Sequence, residues 1–262
     1  MVDASVFSLA GRRILVTGAA GHIGKNICDY LLQDGATVIA IDNDEVGLKQ
    51  MESESGEESL FTFVCDLSEE TDRELLVGKV SSLTSTLDGV VFAAAFVGTT
   101  VLEGWSVDFT EQSLSTWRDA LELNLTAPFH IAQLLTPFLM NSQFASIVNI
   151  GSIYGSVAPD WSLYEGLAMS NPAAYAASKG GLSQLTRWLA ATLAPEIRVN
   201  MVSPGGVERN QEALFVSRYQ RRTPLGRLAS EADVTRAIVF LLSDSSSYVT
   251  GQNLFVDGGF AI

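Results

Sequence analysis

The strongest constraint on this chain is an alternation that runs from one end to the other. Short apolar, β-branched runs are separated by stretches of helical periodicity. The runs fall at 13–17, 37–41, 60–64, 89–93, 146–150, 197–202 and 253–256. None alternates polar with apolar residues, so each reads as a strand covered on both faces. Helical patterns fill the gaps, as at 23–33, 117–140 and 174–194. Short strand–helix connections require right-handed crossovers and a parallel sheet. The expected fold is α/β: a doubly wound, seven-stranded parallel sheet of Rossmann type with helices on both faces. No composition break or flexible linker divides the 262 residues, so one domain over 1–262 is expected. The acidic, Ser-rich patch 52–59 reads as a solvated surface turn.

Composition narrows the function. Hydrophobic residues make up 47% and charged residues 18%, enough to bury a large core. The formal charge of −14 sets nucleic-acid binding aside. Cys28 and Cys65 stand alone, without a CxxC or a His cluster, so no metal site and no disulfide framework are expected. Residues 1–11 lack the basic-then-apolar pattern of a signal peptide. The longest apolar run, 90–97, is far short of the roughly 20 residues of a membrane-spanning helix. These features lead to the expectation of a cytoplasmic protein with a small-molecule substrate and no membrane partner.

The first strand runs into Thr17-Gly18-Ala19-Ala20-Gly21-His22-Ile23-Gly24. Glycines in a strand-to-helix turn let the backbone bend tightly and approach a pyrophosphate, which the helix N-terminus favours. Such a turn also serves chain geometry alone. The second strand stops at Asp42, whose carboxylate can accept from both ribose hydroxyls and would repel a 2′-phosphate. No Lys or Arg follows before Lys49, so NAD is expected over NADP. Asp66 ends the third strand; it either accepts from an adenine amino group or caps a helix over 67–77.

Tyr175 and Lys179 stand four apart, on one face if the segment is helical. A phenol is a poor acid–base catalyst near neutral pH unless a neighbouring ammonium favours its phenolate. Tyr175 is the only one of six tyrosines with a lysine at that spacing. Ser152 lies just past the fifth strand, at the carboxyl edge where open α/β sheets bind ligands, and can hold a substrate oxygen. Asn124 either anchors a proton-relay water or satisfies local backbone groups.

Taken in order, Thr17 to Gly24, Asp66, Asn124, Ser152, Tyr175 to Lys179, Pro204-Gly205 and the stretch from Val249 to Gly259 resemble the landmarks of the short-chain dehydrogenase/reductase family. The resemblance covers nearly the whole chain and is closest to the compact, single-domain branch. It implies that Tyr175 is the general acid/base and that Lys179 lowers its pKa and binds the nicotinamide ribose. It further implies that Ser152 positions the carbonyl or hydroxyl and that Asn124 maintains the relay. The implied NAD contacts begin with Gly18, Gly21, His22, Ile23 and Gly24. They continue with Asp42, Asp66, Leu67, Ala93 and Ala94, and end with Tyr175, Lys179, Pro204, Gly205 and Val207. Family members are commonly homo-oligomers, tetramers or dimers, with the C-terminal strand and the helices holding Trp117 and Tyr175 at interfaces. The sequence departs from the pattern in three places. His22 replaces the middle glycine. Phe92-Ala93-Ala94-Ala95 replaces Asn-Asn-Ala-Gly. The Thr after Pro-Gly is replaced near Glu208-Arg209.

Two segments bear on the substrate. Residues 154–171 lengthen the gap between Ser152 and Tyr175 and carry Asp160, Trp161, Tyr164, Glu165 and Met169. They resemble, more weakly, segments of family members from sugar and surface-glycan pathways, including flagellin modification; a subunit contact or an ordered flap is the alternative. Residues 205–227 carry Arg209, Arg218, Arg221, Arg222 and Arg227. Arginine forks suit phosphate and carboxylate, though surface pairing explains them as well. The expected reaction is hydride transfer between NAD(H) and a secondary alcohol or ketone, on a sugar, polyol or anionic sugar derivative. The alternatives are a sugar epimerase or dehydratase that uses NAD transiently, and a non-catalytic NAD-binding protein.

Overall fold

The computed structural model describes residues 7–56, 58–167 and 169–262. The expected domain 1–262, the N-terminal stretch 1–11, the patch 52–59 and the segment 154–171 each include residues outside that range. Seven parallel strands form one sheet in the order β3-β2-β1-β4-β5-β6-β7. They are β1 (Arg13–Thr17), β2 (Thr37–Asp42), β3 (Leu60–Val64), β4 (Gly89–Phe92), β5 (Ser146–Ile150), β6 (Arg198–Pro204) and β7 (Asn253–Val256). The helices are α1 (His22–Gln33), α2 (Glu45–Ser55), α3 (Glu70–Leu83), α4 (Leu114–Leu121), α5 (Ala127–Leu139), α6 (Ala173–Leu193), α7 (Ala213–Arg222) and α8 (Glu231–Leu242).

Alternate side chains along each strand go to opposite layers. Ile14, Val16, Val38, Ala40, Val148 and Val202 pack against Ile27 and Leu31 of α1 and Ile238 and Leu242 of α8. Leu15, Ile39, Ile41, Val90, Ile147 and Val199 pack against Leu76 of α3, Ile131 and Leu135 of α5 and Leu189 of α6. Both faces are therefore apolar, and strict polar alternation is absent from the central strands. The edges depart from that expectation: Leu254 and Phe255 of β7 and Val64 of β3 are exposed, because an edge strand has neighbours on one side only.

Three local expectations are corrected. The stretch 117–140 is not one helix: α4 and α5 are joined by a π-helical turn at Glu122–Thr126. The helix expected at 67–77 starts at Glu70, and Asp66 does not cap it; its Oδ1 accepts from Ser68 N (3.0 Å) and Ser68 Oγ (2.7 Å) instead. Within 52–59, residues up to Ser55 are the last turn of α2, which ends at the left-handed Gly56. Cys28 and Cys65 are both free and buried, as expected. Among the described residues no helix is long and apolar enough to cross a membrane.

β1 lies between β2 and β4, so strand order reverses there. Connections on the two sides of that reversal diverge to opposite faces and leave a crevice at the carboxyl ends of the strands. The functional side chains gather in this crevice.

Candidate active site

One wall of the crevice is the turn from β1 into α1. Gly18 has φ +65°, and a Cβ there would come 2.6 Å from Ala94 N. At Gly24 a Cβ would sit 1.9 Å from Gly18 O, so α1 packs directly on the turn. Thr17 Oγ1 straps the turn to the end of β4 by accepting from Ala93 N (3.1 Å) and Ala94 N (3.3 Å). Gly18 and Gly24 thus answer to the chain's own backbone; at Gly21, which also lines the cleft, a Cβ would come 3.2 Å from Gly18 O. Gly21 is the N-cap of α1 and supplies no capping side chain, so first-turn N–H groups of α1 remain free for an acceptor in the cleft.

The half of the cleft beside the glycine turn, the candidate nucleotide half, brings together Gly18, Gly21, His22, Ile23, Gly24, Asp42, Asp66, Leu67, Ala93 and Ala94. The Asp42 carboxylate is oriented by its own loop, accepting from Ala20 N (2.9 Å) and Asp44 N (3.0 Å). The nearby lysines are already engaged: Lys25 pairs with Asp29 (3.0 Å) and Glu54 (3.2 Å), and Lys49 with Glu45 (2.6 Å). His22 lies 3.4 Å from Glu231 across the helix start. The residues present fit a dinucleotide: a glycine wall for close backbone approach, free helix N–H groups, and a carboxylate at the end of β2.

The catalytic half is lined by Ser152, Tyr175, Lys179, Pro204, Gly205 and Val207. Ser152 follows β5 and heads a short turn at Ile153–Gly155, its Oγ accepting from Tyr154 N (3.2 Å). That turn lies directly on α6, because a Cβ on Gly155 would meet the Lys179 carbonyl carbon at 2.7 Å. This close approach sets Ser152 beside the face of α6 that carries Tyr175 and Lys179.

Lys179 is buried and donates from Nζ to Ile150 O (2.8 Å), with Nζ 5.9 Å from the Tyr175 ring centroid. Burial pushes its pKa down to about 8. Burial pushes the Tyr175 phenol up, while the Ser152 hydroxyl and the Arg209 charge pull it down.

Asn124 lines neither half of the cleft. It is buried in the π-helical turn, where Oδ1 accepts from Phe96 N (2.8 Å) and Nδ2 donates to Phe96 O (3.0 Å) and Ser178 Oγ (3.1 Å). It braces the loop after β4 against α6, and the backbone groups it satisfies are those of Phe96, 28 positions away, not local ones.

The two substrate segments form a joint cap. Trp161, Tyr164, Phe215, Tyr219 and Phe260 follow one another in ring contact, with centroids 4.5–6.0 Å apart. Of the side chains singled out in 154–171, Tyr164 and Met169 line the cleft, while Asp160, Trp161 and Glu165 do not. Tyr164 hydrogen-bonds Tyr154 through the two hydroxyls (2.8 Å).

Four of the five arginines in 205–227 have protein partners. Arg218 holds the carbonyls of Leu163 (3.3 Å) and Glu165 (2.6 Å), and Arg221 reaches Ser217 (2.8 Å). Arg222 pairs with Asp160 (3.5 Å) and Arg227 with Asp233 (2.6 Å). Only Arg209 lines the cleft, along both halves. Sequence reasoning missed this distinction, and missed Asn171 and Tyr219 as cleft residues; nothing in local spacing separates them from their neighbours.

One group elsewhere has metal-ligand chemistry: Glu70, Glu74 and His130 bring ligand atoms within 4.8 Å of one another. Arg73 Nε donates to His130 Nδ1 (3.1 Å), which places the proton of the neutral ring on Nε2. Neither nitrogen then has a free lone pair, and the group reads as a hydrogen-bonded set.

Comparison with known proteins agrees with this geometry. A family model described as enoyl-(acyl carrier protein) reductase matches residues 18–261. Post-translational flagellin modification protein A of Campylobacter coli is 30% identical over 259 residues, covering 97% of this chain and 100% of that protein. A short-chain dehydrogenase from Leptospira borgpetersenii, solved with bound NAD+, superposes with a TM-score of 0.88 at 28% identity, covering 100% of this chain and 97% of that one. RhlG of Pseudomonas aeruginosa, solved as an NADP active-site complex, gives 0.87 at 28% identity, over 99% and 100% of the two chains.

Proposed function

Because this chain belongs to the short-chain dehydrogenase/reductase family, we propose that it is an NAD-dependent dehydrogenase acting reversibly on a secondary alcohol or ketone of a sugar, polyol or anionic sugar derivative. As an oxidoreductase of that family it works with a nicotinamide cofactor. The observation that carries the reading is the meeting of Ser152, Tyr175 and Lys179 in one cleft continuous with the glycine turn and Asp42.

When bound, the nicotinamide supplies the acceptor or donor of the hydride. The protein's residues supply the proton chemistry. In oxidation Tyr175 takes the hydroxyl proton of the substrate, and in reduction it returns a proton to the carbonyl oxygen. Ser152 holds that oxygen beside the phenol. Lys179, anchored on Ile150 O, keeps a cation in the same buried space and offers N–H groups to the nicotinamide ribose. Asn124 acts as a positioning residue, fixing the loop after β4 against α6. Gly18, Gly21, His22, Ile23 and Gly24 hold the phosphates, Asp42 the ribose, Asp66 and Leu67 the adenine side. Ala93, Ala94, Pro204, Gly205 and Val207 border the nicotinamide side.

NAD is preferred in this reading because Asp42 would repel a 2′-phosphate and the neighbouring lysines are already paired. A sugar or polyol substrate is supported by the tyrosine hydroxyls and the Asn171 amide of the cleft wall, and by likeness to a flagellin modification protein. The same reading takes the protein as a cytoplasmic homo-oligomer; Phe129 of α5 and Trp188 of α6 are exposed on helices that such an assembly would cover. The test is Tyr175→Phe. NADH formation from a panel of polyols and sugar acids, followed by absorbance, should vanish while NADH binding stays within about twofold of wild type. Turnover surviving that substitution would refute the assignment. An epimerase or dehydratase would instead show product without net NADH.

A further inference from the structure

The catalytic half of the cleft differs electrostatically from the rest of the protein. The chain carries a formal charge of −14, yet among the described residues no Asp or Glu lines this half. Its cationic side chains are Lys179 and Arg209. Lys179 is turned to the Ile150 carbonyl. The Arg209 guanidinium makes no hydrogen bond and no ion pair among the described residues, unlike the four other arginines of its segment. Its backbone is nonetheless held in place. Arg209 N donates to Gln211 Oε1 (2.6 Å), Gln211 Nε2 to Val207 O (2.6 Å), and Glu208 N to Ala229 O (2.8 Å). A guanidinium without a partner among the described residues thus extends from an anchored backbone into the place where the catalytic and nucleotide halves meet.

A second, independent observation comes from the opposite segment. Asn171 is 4% exposed, stands in the wall of the same half, and both its amide atoms lack a partner among the described residues. A buried amide without hydrogen bonds is costly, and such groups in native proteins usually have a partner from outside the chain.

We propose that Arg209 and Asn171 form the substrate-recognition pair of this cleft, Arg209 taking a carboxylate or phosphate oxyanion and Asn171 a hydroxyl near it. The pairing rests on the dehydrogenase reading for its substrate. A guanidinium fork binds either oxyanion by two parallel N–H bonds, and no described carboxylate on the catalytic side of Arg209 competes for it. The oxyanion can belong to the substrate or to the pyrophosphate of the cofactor. Arg209 borders both halves, but Asn171 borders the catalytic half and not the nucleotide half, which favours the substrate.

The experiment uses matched probes on the NADH-saturated protein: D-gluconate against D-sorbitol, and D-glucose 6-phosphate against D-glucose. Binding is read by isothermal titration, and NADH and ADP-ribose affinities by fluorescence. Wild type should prefer at least one anion over its neutral partner by about tenfold or more. Arg209→Gln should remove about tenfold of that preference, Arg209→Lys less, with NADH affinity within about twofold. Asn171→Ala should weaken the anionic and neutral probes alike by about fivefold. NADH and ADP-ribose both weakened about tenfold by Arg209→Gln would keep the oxyanion site and assign it to the cofactor. No anion preference in wild type, or a preference that survives Arg209→Gln, with NADH affinity unchanged, would overturn the proposal. Because these are binding measurements, lack of turnover with every alcohol would sink the dehydrogenase reading without deciding this one.

Discussion

Replacing Asn124 with Ala should destabilise the protein measurably, by an amount set by the partners of its side chain. The substitution removes three hydrogen bonds: two to the backbone of Phe96 and one to Ser178 Oγ. Ser178 loses least, because its hydroxyl still donates to Tyr175 O (2.8 Å). The N–H and C=O of Phe96 lose their partner together. A buried backbone group left unpaired costs roughly 1–3 kcal/mol. Phe96 is only partly buried, so water can reach it and the lower end of that range applies. Two such groups give about 2–4 kcal/mol. For a chain of this size each kcal/mol lowers Tm by roughly 2–4 °C, so a fall of about 5–15 °C is expected in calorimetry. The urea midpoint should fall with it at an unchanged slope. Asn124→Asp should do no better than Ala, since its carboxylate faces the Phe96 carbonyl and cannot donate. A Tm within about 2 °C of wild type for Asn124→Ala would refute the bracing role.

Other perturbations test other parts of the site. Gly24→Ala puts a Cβ 1.9 Å from Gly18 O, so α1 must move; NADH affinity should fall at least tenfold and Tm should drop, both read on the same preparation. Asp42→Ala should raise the kcat/KM ratio of NADP to NAD by about tenfold or more, and an unchanged ratio would remove Asp42 from the ribose site. Lys179 titrates near 8 when folded, below its unfolded value of 10.5. The unfolded chain therefore binds the extra proton between those values, and stability rises with pH across them. Relative to Lys179→Met, wild type should gain about 2 kcal/mol between pH 7 and 9.5, read as urea midpoints. A burial-raised phenol at Tyr175 likewise makes alcohol oxidation climb into the alkaline range, a slope that a flat pH profile would contradict.

Much of the fold and part of the site were legible in the order of residues because they depend on local chemistry. Apolar runs without alternation mark strands buried on both faces, and their spacing leaves room only for crossover helices. That implies a parallel sheet, a switch point and a crevice. Gly18, Gly21 and Gly24 mark a turn that side chains would block. Tyr175 and Lys179, four apart on a helix, must share a face wherever that helix is placed. What tertiary structure alone decided lies in contacts between distant segments. Five arginines in one stretch look alike in sequence; docking against the segment before α6 gives partners to Arg218 and Arg222, Arg221 and Arg227 pair with Ser217 and Asp233, and Arg209 is left in the cleft. Asn124 reaches Phe96 and Ser178 across 28 and 54 positions, so its part as a brace could not be read from its neighbours. Lys179 donates to the carbonyl of Ile150, 29 positions away at the end of β5, a partner that no local pattern announces. Periodicity and backbone sterics act over a few residues and are written in the chain. The partner of a polar side chain is set by whatever the folded chain brings within about 3 Å of it, and that is known only once the segments have met.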